Sequence, residues 1–216
     1  MKTIPTQHDN GAAAQIERMR RMYRRYAPGY DATRWAFLHG RQEIVRRLEL
    51  PQTSRLTLME IGCGTGKNLT ALARLFPGMQ LIGVDVSPDM LDRAARACSG
   101  YSRQVRLIET PYPSDGFSLQ EPVDLILFSY SLTLFNPGWE AALDQAYRDL
   151  RTGGRVAVVD FHHTQSSLMR WWMDRHHVRI DGHLLPALQA RFETQYFSVR
   201  SGGLGLWQYF LFVGGK

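Results

Sequence analysis

From Arg55 onward, short apolar runs alternate with stretches of helical periodicity. The segments "RLTLMEI" (55–61), "QLIGVDV" (80–86), "QVRLIE" (104–109), "VDLILFSYSL" (123–132) and "GGRVAVVDF" (153–161) read as strands. The fourth is apolar almost throughout, as a strand covered on both faces should be. Between them, "KNLTALARLF" (67–76), "DMLDRAARACS" (89–99) and "GWEAALDQAYRDL" (138–150) read as helices. Ser87 and Pro88 supply a cap and a first helical residue, and Asn136–Pro137 repeats that signal before the third of these helices. A further helical stretch spans 166–175, and the tail "FETQYFSVR…GLWQYFLFVG" reads as two strands joined by a glycine-rich turn. Upstream, "AAAQIERMRRMYRRYA" reads as a helix broken at Pro28–Gly29, and "RWAFLHGRQEIVRRLEL" as a second helix stopped by Pro51. The alternation predicts an α/β fold with a mostly parallel, doubly wound sheet of seven strands ending in an antiparallel hairpin. We divide the chain into an N-terminal helical lid (1–50) and one compact domain (51–216).

The 216 residues suffice for one domain with a sizeable core. No apolar run approaches the roughly 20 residues of a membrane-spanning helix, and the N-terminus lacks the apolar core of a secretory signal. Cys63 and Cys98 form no framework and read as small buried side chains of a cytosolic protein. The net charge of +6 admits an anionic partner, and the excess is concentrated in "RMRRMYRRY" (18–26), with five arginines and no acid.

The loop "MEIGCGTGKN" (59–68) carries the chemistry. A P-loop needs G-x-x-x-x-G-K-[ST]; here the spacing is tighter and Asn68 stands where a hydroxyl is required. A dinucleotide fingerprint needs G-x-G-x-x-G, whereas this loop reads G-x-G-x-G, with Glu60 two residues before the first glycine. A carboxylate there is poorly placed beside a pyrophosphate and well placed beside a cation. The remaining reading is S-adenosylmethionine, a sulfonium with an amino-acid head. Asp85 ends the next strand, 23 residues after Gly62, where a carboxylate can take both ribose hydroxyls.

"EIGCGTG" resembles the first motif of class I methyltransferases, whose Rossmann-like fold suits the alternation above. That resemblance implies cofactor contacts from Glu60, Gly62, Cys63, Gly64, Thr65, Gly66 and Asn68 in the loop, and from Asp85 and Val86 after the second strand. It further implies Met90 on the adenine, Glu109 and Thr110 near the adenine amino group, and Ser129 and Tyr130 of "FSYSLTLF" facing the methionine part. The product would be S-adenosylhomocysteine.

The flanks "YDATRWAFLHGRQEI" (30–44) and "HHVRIDGHLLPALQARFET…GLWQYFLFVG" (176–214) resemble the bacterial betaine-lipid N-methyltransferases, the BtaB family, from about Tyr26 to Gly214. The specific pieces are "YDATRWAFLHGR", "EIGCGTGKNL", "VDFHH" and "VRIDGHLLP"; "ETPYPSD" is the least similar. The resemblance implies three methyl transfers that convert diacylglyceryl-homoserine into diacylglyceryl-trimethylhomoserine. It implies a lipid partner at the inner membrane surface, and cooperation with the enzyme that makes the homoserine lipid. Tyr23, Tyr26, Tyr30, Trp35 and Tyr130 are candidate walls for a quaternary ammonium, while Arg34, Arg41 and Arg179 are candidate forks for the head-group carboxylate. His162 or His163 would take the ammonium proton, Tyr30 and Tyr130 would line the reaction, and Asp181 and His183 of "RIDGH" lie on the substrate side.

Blander readings stand beside these. Tyr30 and Trp35 also suit lid packing, Arg41 a salt bridge to a sheet-end carboxylate, and Asp124 a structural cap. The pairs His162–His163 and His176–His177 do not suit a metal, because adjacent side chains point to different faces. Nucleic acid is disfavoured, since the fourth motif lacks the N/D-P-P-[FY] of base-nitrogen methyltransferases. Phosphatidylethanolamine or a small amine remains open as acceptor, as does non-catalytic binding of the cofactor. The basic helix at 12–27 suits an anionic membrane surface as well as a solvated charge face.

Overall fold

A computed structural model of the chain describes residues 38–114, 117–175 and 178–216. Within them lie α1 (Arg41–Arg46), β1 (Thr57–Ile61), α2 (Lys67–Leu75), β2 (Gln80–Asp85), α3 (Pro88–Ala97), β3 (Val105–Glu109) and β4 (Val123–Ser129). α4 (Trp139–Asp149), β5 (Leu150–Phe161), α5 (Ser167–Arg175), α6 (Leu184–Arg191), β6 (Glu193–Gly202) and β7 (Trp207–Gly215) follow. One seven-stranded sheet runs in the order β3-β2-β1-β4-β5-β7-β6, with β7 antiparallel to both of its neighbours and every other pairing parallel. This is the Rossmann-like sheet of class I methyltransferases.

The period of two in the strands sorts the core into two layers. Leu58, Leu125 and Leu127 face one cluster with α2 and α3, together with Ile44 of α1 and Met173 of α5. Met59, Ile61, Ile126 and Phe128 face the other, with α4 and α6. Gly83 of β2 lets α2 come close: a Cβ there would lie 2.5 Å from a Leu69 methyl and 2.9 Å from the Cys63 sulfur. Both cysteines are buried and free.

Most predicted elements recur within a residue or two. Ser87 does cap α3, accepting from the Met90 N–H with Pro88 at the first helical position. Four details differ. The expected helix over 34–50 is, among the described residues, only Arg41–Arg46, because Gly40 at φ 78° turns the chain just before it. Asn136–Pro137 does not start α4; the helix begins at Trp139, after Gly138 at φ 124°, with no side-chain cap. β5 begins at Leu150 rather than Gly153, since the register against β4 shifts and Gly153 at φ 74° takes up the extra residues. Finally, α6 was not anticipated: Pro186 in "LLPALQAR" reads as a breaker, yet it sits in the first turn, where no hydrogen bond is lost. Residues 1–37, and with them most of the lid, lie outside the described residues, as do His176 and His177.

Candidate functional site

The glycine loop forms because β1 must turn sharply into α2 beside β2. The N–H groups of Gly62 and Cys63 both donate to the Val84 carbonyl, at 2.8 and 3.0 Å. Gly62, Gly64 and Gly66 have φ of 72°, 54° and 75°, a region closed to most side chains. Their surroundings differ. A Cβ on Gly62 would lie 2.7 Å from that of Ser131, and one on Gly66 about as tight against Ala94, at 3.0 Å, while Gly64 faces open space. Gly62 thus seats the loop on the β4 end, and Gly64 leaves room above it.

Asp85, at the end of β2, is buried and holds the loop from the side. Its Oδ2 accepts from the Gly64 N–H at 2.8 Å and its Oδ1 from the Ser87 N–H at 2.9 Å. A carboxylate accepts up to about four hydrogen bonds, the chemistry that recognition of two hydroxyls requires. Next to it, Val86 is half-buried, Thr110 donates its N–H to the Asp85 carbonyl at 3.1 Å, and Glu109 is exposed at the end of β3. Met90 is wholly buried in the core under α3.

Glu60 is the sequence's most unusual placement, a carboxylate with 1% exposure inside a parallel sheet. Burial pushes its pKa up to about 7, against the opposing influence of the Asn68 hydrogen bond and the Arg41 charge. Asn68, on the first turn of α2, donates to Glu60 Oε1 at 2.5 Å. Glu60 Oε2 and Arg41 Nε are buried without hydrogen-bond partners among the described residues, as are the Ser129 and Ser131 hydroxyls at the β4 end. A half-met buried carboxylate at the foot of a loop with an open glycine fits a ligand that carries a cation of its own. A sulfonium amino acid has that chemistry.

Tyr130 leaves β4 at φ 56° with its side chain buried, and its hydroxyl donates to the His39 carbonyl at 2.7 Å. Burial raises the phenol well above its ordinary pKa. Its hydroxyl is therefore an anchor that joins the β4 end to the approach to α1, and its ring packs edge-on against Phe161, with centroids 4.7 Å apart. Sequence reasoning missed Asp160. It is fully buried in β5, accepting from the Thr133 hydroxyl at 2.6 Å and from the N–H groups of Thr133 and Phe161 at 3.2 and 2.8 Å. Burial raises its pKa to about 6 despite these donors. A single acid in the apolar run "VAVVDF" was the available signal.

Beyond β5 the predicted acceptor-side residues come together from segments far apart in sequence. His163 makes a β-bridge with Asp181, and Gly182 lies against the His162 ring, where a Cβ would be 3.4 Å from Cε1. The Arg179 N–H donates to the Thr133 carbonyl at 3.2 Å, which lays this segment over the turn that Asp160 holds. Arg179 Nε pairs with Asp181 Oδ2 at 2.7 Å, while Asp181 Oδ1 meets His183 Nδ1. Burial alone would raise the Asp181 pKa; the hydrogen bonds from His183 and Arg179 win and hold it at about 2. The Arg179 fork is thus partly committed to Asp181. The same contact leaves His183 Nε2, which is buried without a partner among the described residues, as the nitrogen bearing the lone pair when the ring is neutral. Trp139, at the start of α4, covers that ring at 4.9 Å. His162 Nδ1 is likewise buried without a partner among the described residues, and burial followed by the neighbouring His163 lowers the His162 pKa below its usual value.

Asp124 lies at the opposite end of the sheet, accepting from the Thr57 N–H at 2.7 Å and pairing with Arg151, as a structural acid. Tyr23, Tyr26, Tyr30, Arg34 and Trp35 lie outside the described residues. Among the described residues no group of three potential metal ligands is present.

Residues 58–154 match the family described as "Methyltransferase domain". The chain is 28% identical over 149 residues to a demethylmenaquinone methyltransferase of Thermus thermophilus, covering 65% of this chain and 64% of that protein. It is 31% identical over 150 residues to a malonyl-[acyl-carrier protein] O-methyltransferase of Dechloromonas aromatica, covering 69% and 52%. The chain therefore spans between about half and two thirds of the length of these two relatives. Among solved structures, the N-methyltransferase NodS of Bradyrhizobium japonicum, with S-adenosylhomocysteine bound, superposes with a TM-score of 0.65 at 21% identity, covering 82% of this chain and 85% of that one. The fold is that of a class I methyltransferase, and S-adenosylmethionine is the cofactor.

Proposed function

We propose that the chain is an S-adenosylmethionine-dependent N-methyltransferase whose acceptor is the primary amine of a lipid head group that also carries a carboxylate. In its fullest form this is three transfers onto diacylglyceryl-homoserine. The observation that carries the reading is the meeting of "VDFHH" and "VRIDGHLLP" through the His163–Asp181 bridge and the Gly182–His162 contact. Two pieces of the betaine-lipid resemblance, separated by the whole of α5, thus meet at the same end of the sheet as the glycine loop.

The cofactor supplies an electrophilic methyl group: the nitrogen–carbon bond forms as the carbon–sulfur bond breaks, and sulfur keeps the electron pair. The protein's tasks are alignment, charge and removal of a proton from the ammonium. Glu60 and Asn68 face the cationic head of the cofactor, and Asp85 takes its ribose. His162 is held neutral near pH 7 by burial, so its Nδ1, without a partner among the described residues, can accept the amine proton before each attack. Arg41, whose buried Nε has no partner among the described residues, takes the acceptor carboxylate; Arg179 contributes whatever its bond to Asp181 leaves available.

Transfer of labelled methyl groups to diacylglyceryl-homoserine in mixed micelles, with products weighed by mass spectrometry, tests this. Mass gains of one, two and three methyl groups on that lipid alone are expected. Label only in phosphatidylethanolamine run in parallel would replace the acceptor, and label in neither would refute lipid amine methylation. The relative that methylates a malonyl carrier supports a second reading, ester formation on a carboxylate that Arg41 holds; the hydroxide lability of an ester product would reveal it at once.

A further inference from the structure

Among the described residues, five of the nine exposed large hydrophobic side chains gather at one place. Leu168, Trp171 and Trp172 lie on α5, and Leu204 and Leu206 in the turn between β6 and β7. The two pieces are joined: the Thr164 hydroxyl, just before α5, donates to the Leu206 carbonyl at 2.6 Å, and Arg170 donates to the Thr164 carbonyl at 3.0 Å. Because β7 runs antiparallel to β5, with Tyr209 opposite Phe161, this turn lies at the same end of the sheet as the glycine loop and His162. An ordinary amphipathic helix buries its apolar stripe, whereas α5 buries only Met173 fully. At the tip, Leu204 is fully exposed and held at φ 56° between two glycines, a conformation that costs a leucine about 1 kcal/mol.

We propose that α5 and the β6–β7 turn form a docking face for an anionic lipid surface, which carries the acceptor lipid to the mouth of the site. The proposal rests on the lipid-amine reading above. Three features select lipid over a protein partner. Tryptophan is the side chain that settles at the bilayer interface. The charges on α5 are Arg170 and Arg175 against the single acid Asp174, and the chain as a whole carries +6. Arg175 also stacks over the Trp171 ring at 5.3 Å, so a cation rides beside the inserting indole. A face at the mouth lets a head group reach His162 while its acyl chains stay in the bilayer.

The test is flotation of the full chain with vesicles of phosphatidylcholine containing about 30% phosphatidylglycerol, and with phosphatidylcholine alone, following tryptophan emission. No amine acceptor is present, so the result is independent of methylation. The expected outcome is binding to the anionic vesicles with a blue shift, reduced about tenfold in the pair Trp171→Glu, Leu204→Glu. Cofactor affinity should be unchanged in that pair, which shows that it folds. Phe197→Glu, at an exposed position on β6, should bind vesicles as the parent does. Three outcomes overturn the proposal. They are no vesicle binding by the parent, undiminished binding by the pair (docking by the arginine-rich 18–26 stretch), and a change from dimer to monomer in the pair without loss of vesicle binding. If vesicle binding holds while no lipid amine is methylated, the docking face stands and the proposed acceptor fails.

Discussion

The proposed donor side of the site and its proposed acceptor side are built in different ways. On the donor side, Gly62, Gly64 and Asp85 act largely through backbone: three left-handed glycines, two N–H groups on the Val84 carbonyl, and a carboxylate gripping two more. On the acceptor side, His162, Arg179, Asp181 and His183 would act through side chains, brought together from two segments across α5 by the His163–Asp181 bridge and the Gly182–His162 contact. Backbone devices fix where a common ligand lies; side-chain clusters decide what meets it. One fold can therefore keep its cofactor and change its acceptor.

The sharpest way to break that contrast is to close the loop. Gly62→Ala places a Cβ 2.7 Å from Ser131 and strains a φ of 72°, and should both destabilise the fold by about 2–4 kcal/mol and abolish cofactor binding. Gly64→Ala meets open space, so urea titration should show a loss of about 1 kcal/mol, with cofactor affinity still falling because the room above the loop is taken. A Gly64 variant that binds the cofactor as the parent does would mean that the open space is not its place.

His162→Phe attacks the other side alone. Methyl transfer should drop about 100-fold with cofactor affinity unchanged. Because burial lowers the His162 pKa, the parent's kcat should rise with pH on a limb below the usual histidine value, and the variant should lose that limb. Asp85→Asn should reverse the pattern, weakening cofactor binding about 10- to 100-fold while sparing the chemistry at saturation.

Glu60 joins the two sides in one measurement. Its folded pKa is raised from 4.5 to about 7, so the folded protein holds this proton more tightly than the unfolded chain does. Stability is therefore fullest below about pH 4.5, falls as pH rises towards 7, and is level above. Glu60→Gln should remove that slope and gain on the order of 2–3 kcal/mol at pH 8, while weakening the cofactor. Thermal unfolding and titration calorimetry across this range read both effects. At the far end of the sheet, Asp124→Ala should cost about 1–2 kcal/mol through the Thr57 N–H it leaves unpaired and move neither affinity nor rate.

What the sequence discloses follows the same divide. Most of the strands, the glycine loop, the place of Asp85 at the end of β2 and the Ser87–Pro88 cap are local patterns, and these recur where predicted. The break at Gly40 depends on Tyr209, whose ring a Cβ there would meet at 2.7 Å, and the early start of β5 depends on its register against β4. Neither partner is near in sequence. His162, Arg179, Asp181 and His183 were legible as candidates, but not that Asp181 would occupy both Arg179 and His183, nor that Trp139 would cover the latter. Asp160 shows the same limit, since its task is set by Thr133, 27 residues away.

The most direct test is to measure cofactor affinity by calorimetry and single-turnover methyl transfer in one preparation of His162→Phe. An unchanged affinity with transfer slowed about 100-fold, and no loss of folded protein, is the predicted result. Transfer at the parent's rate, or an affinity that falls together with it, would contradict a donor side and an acceptor side that work separately.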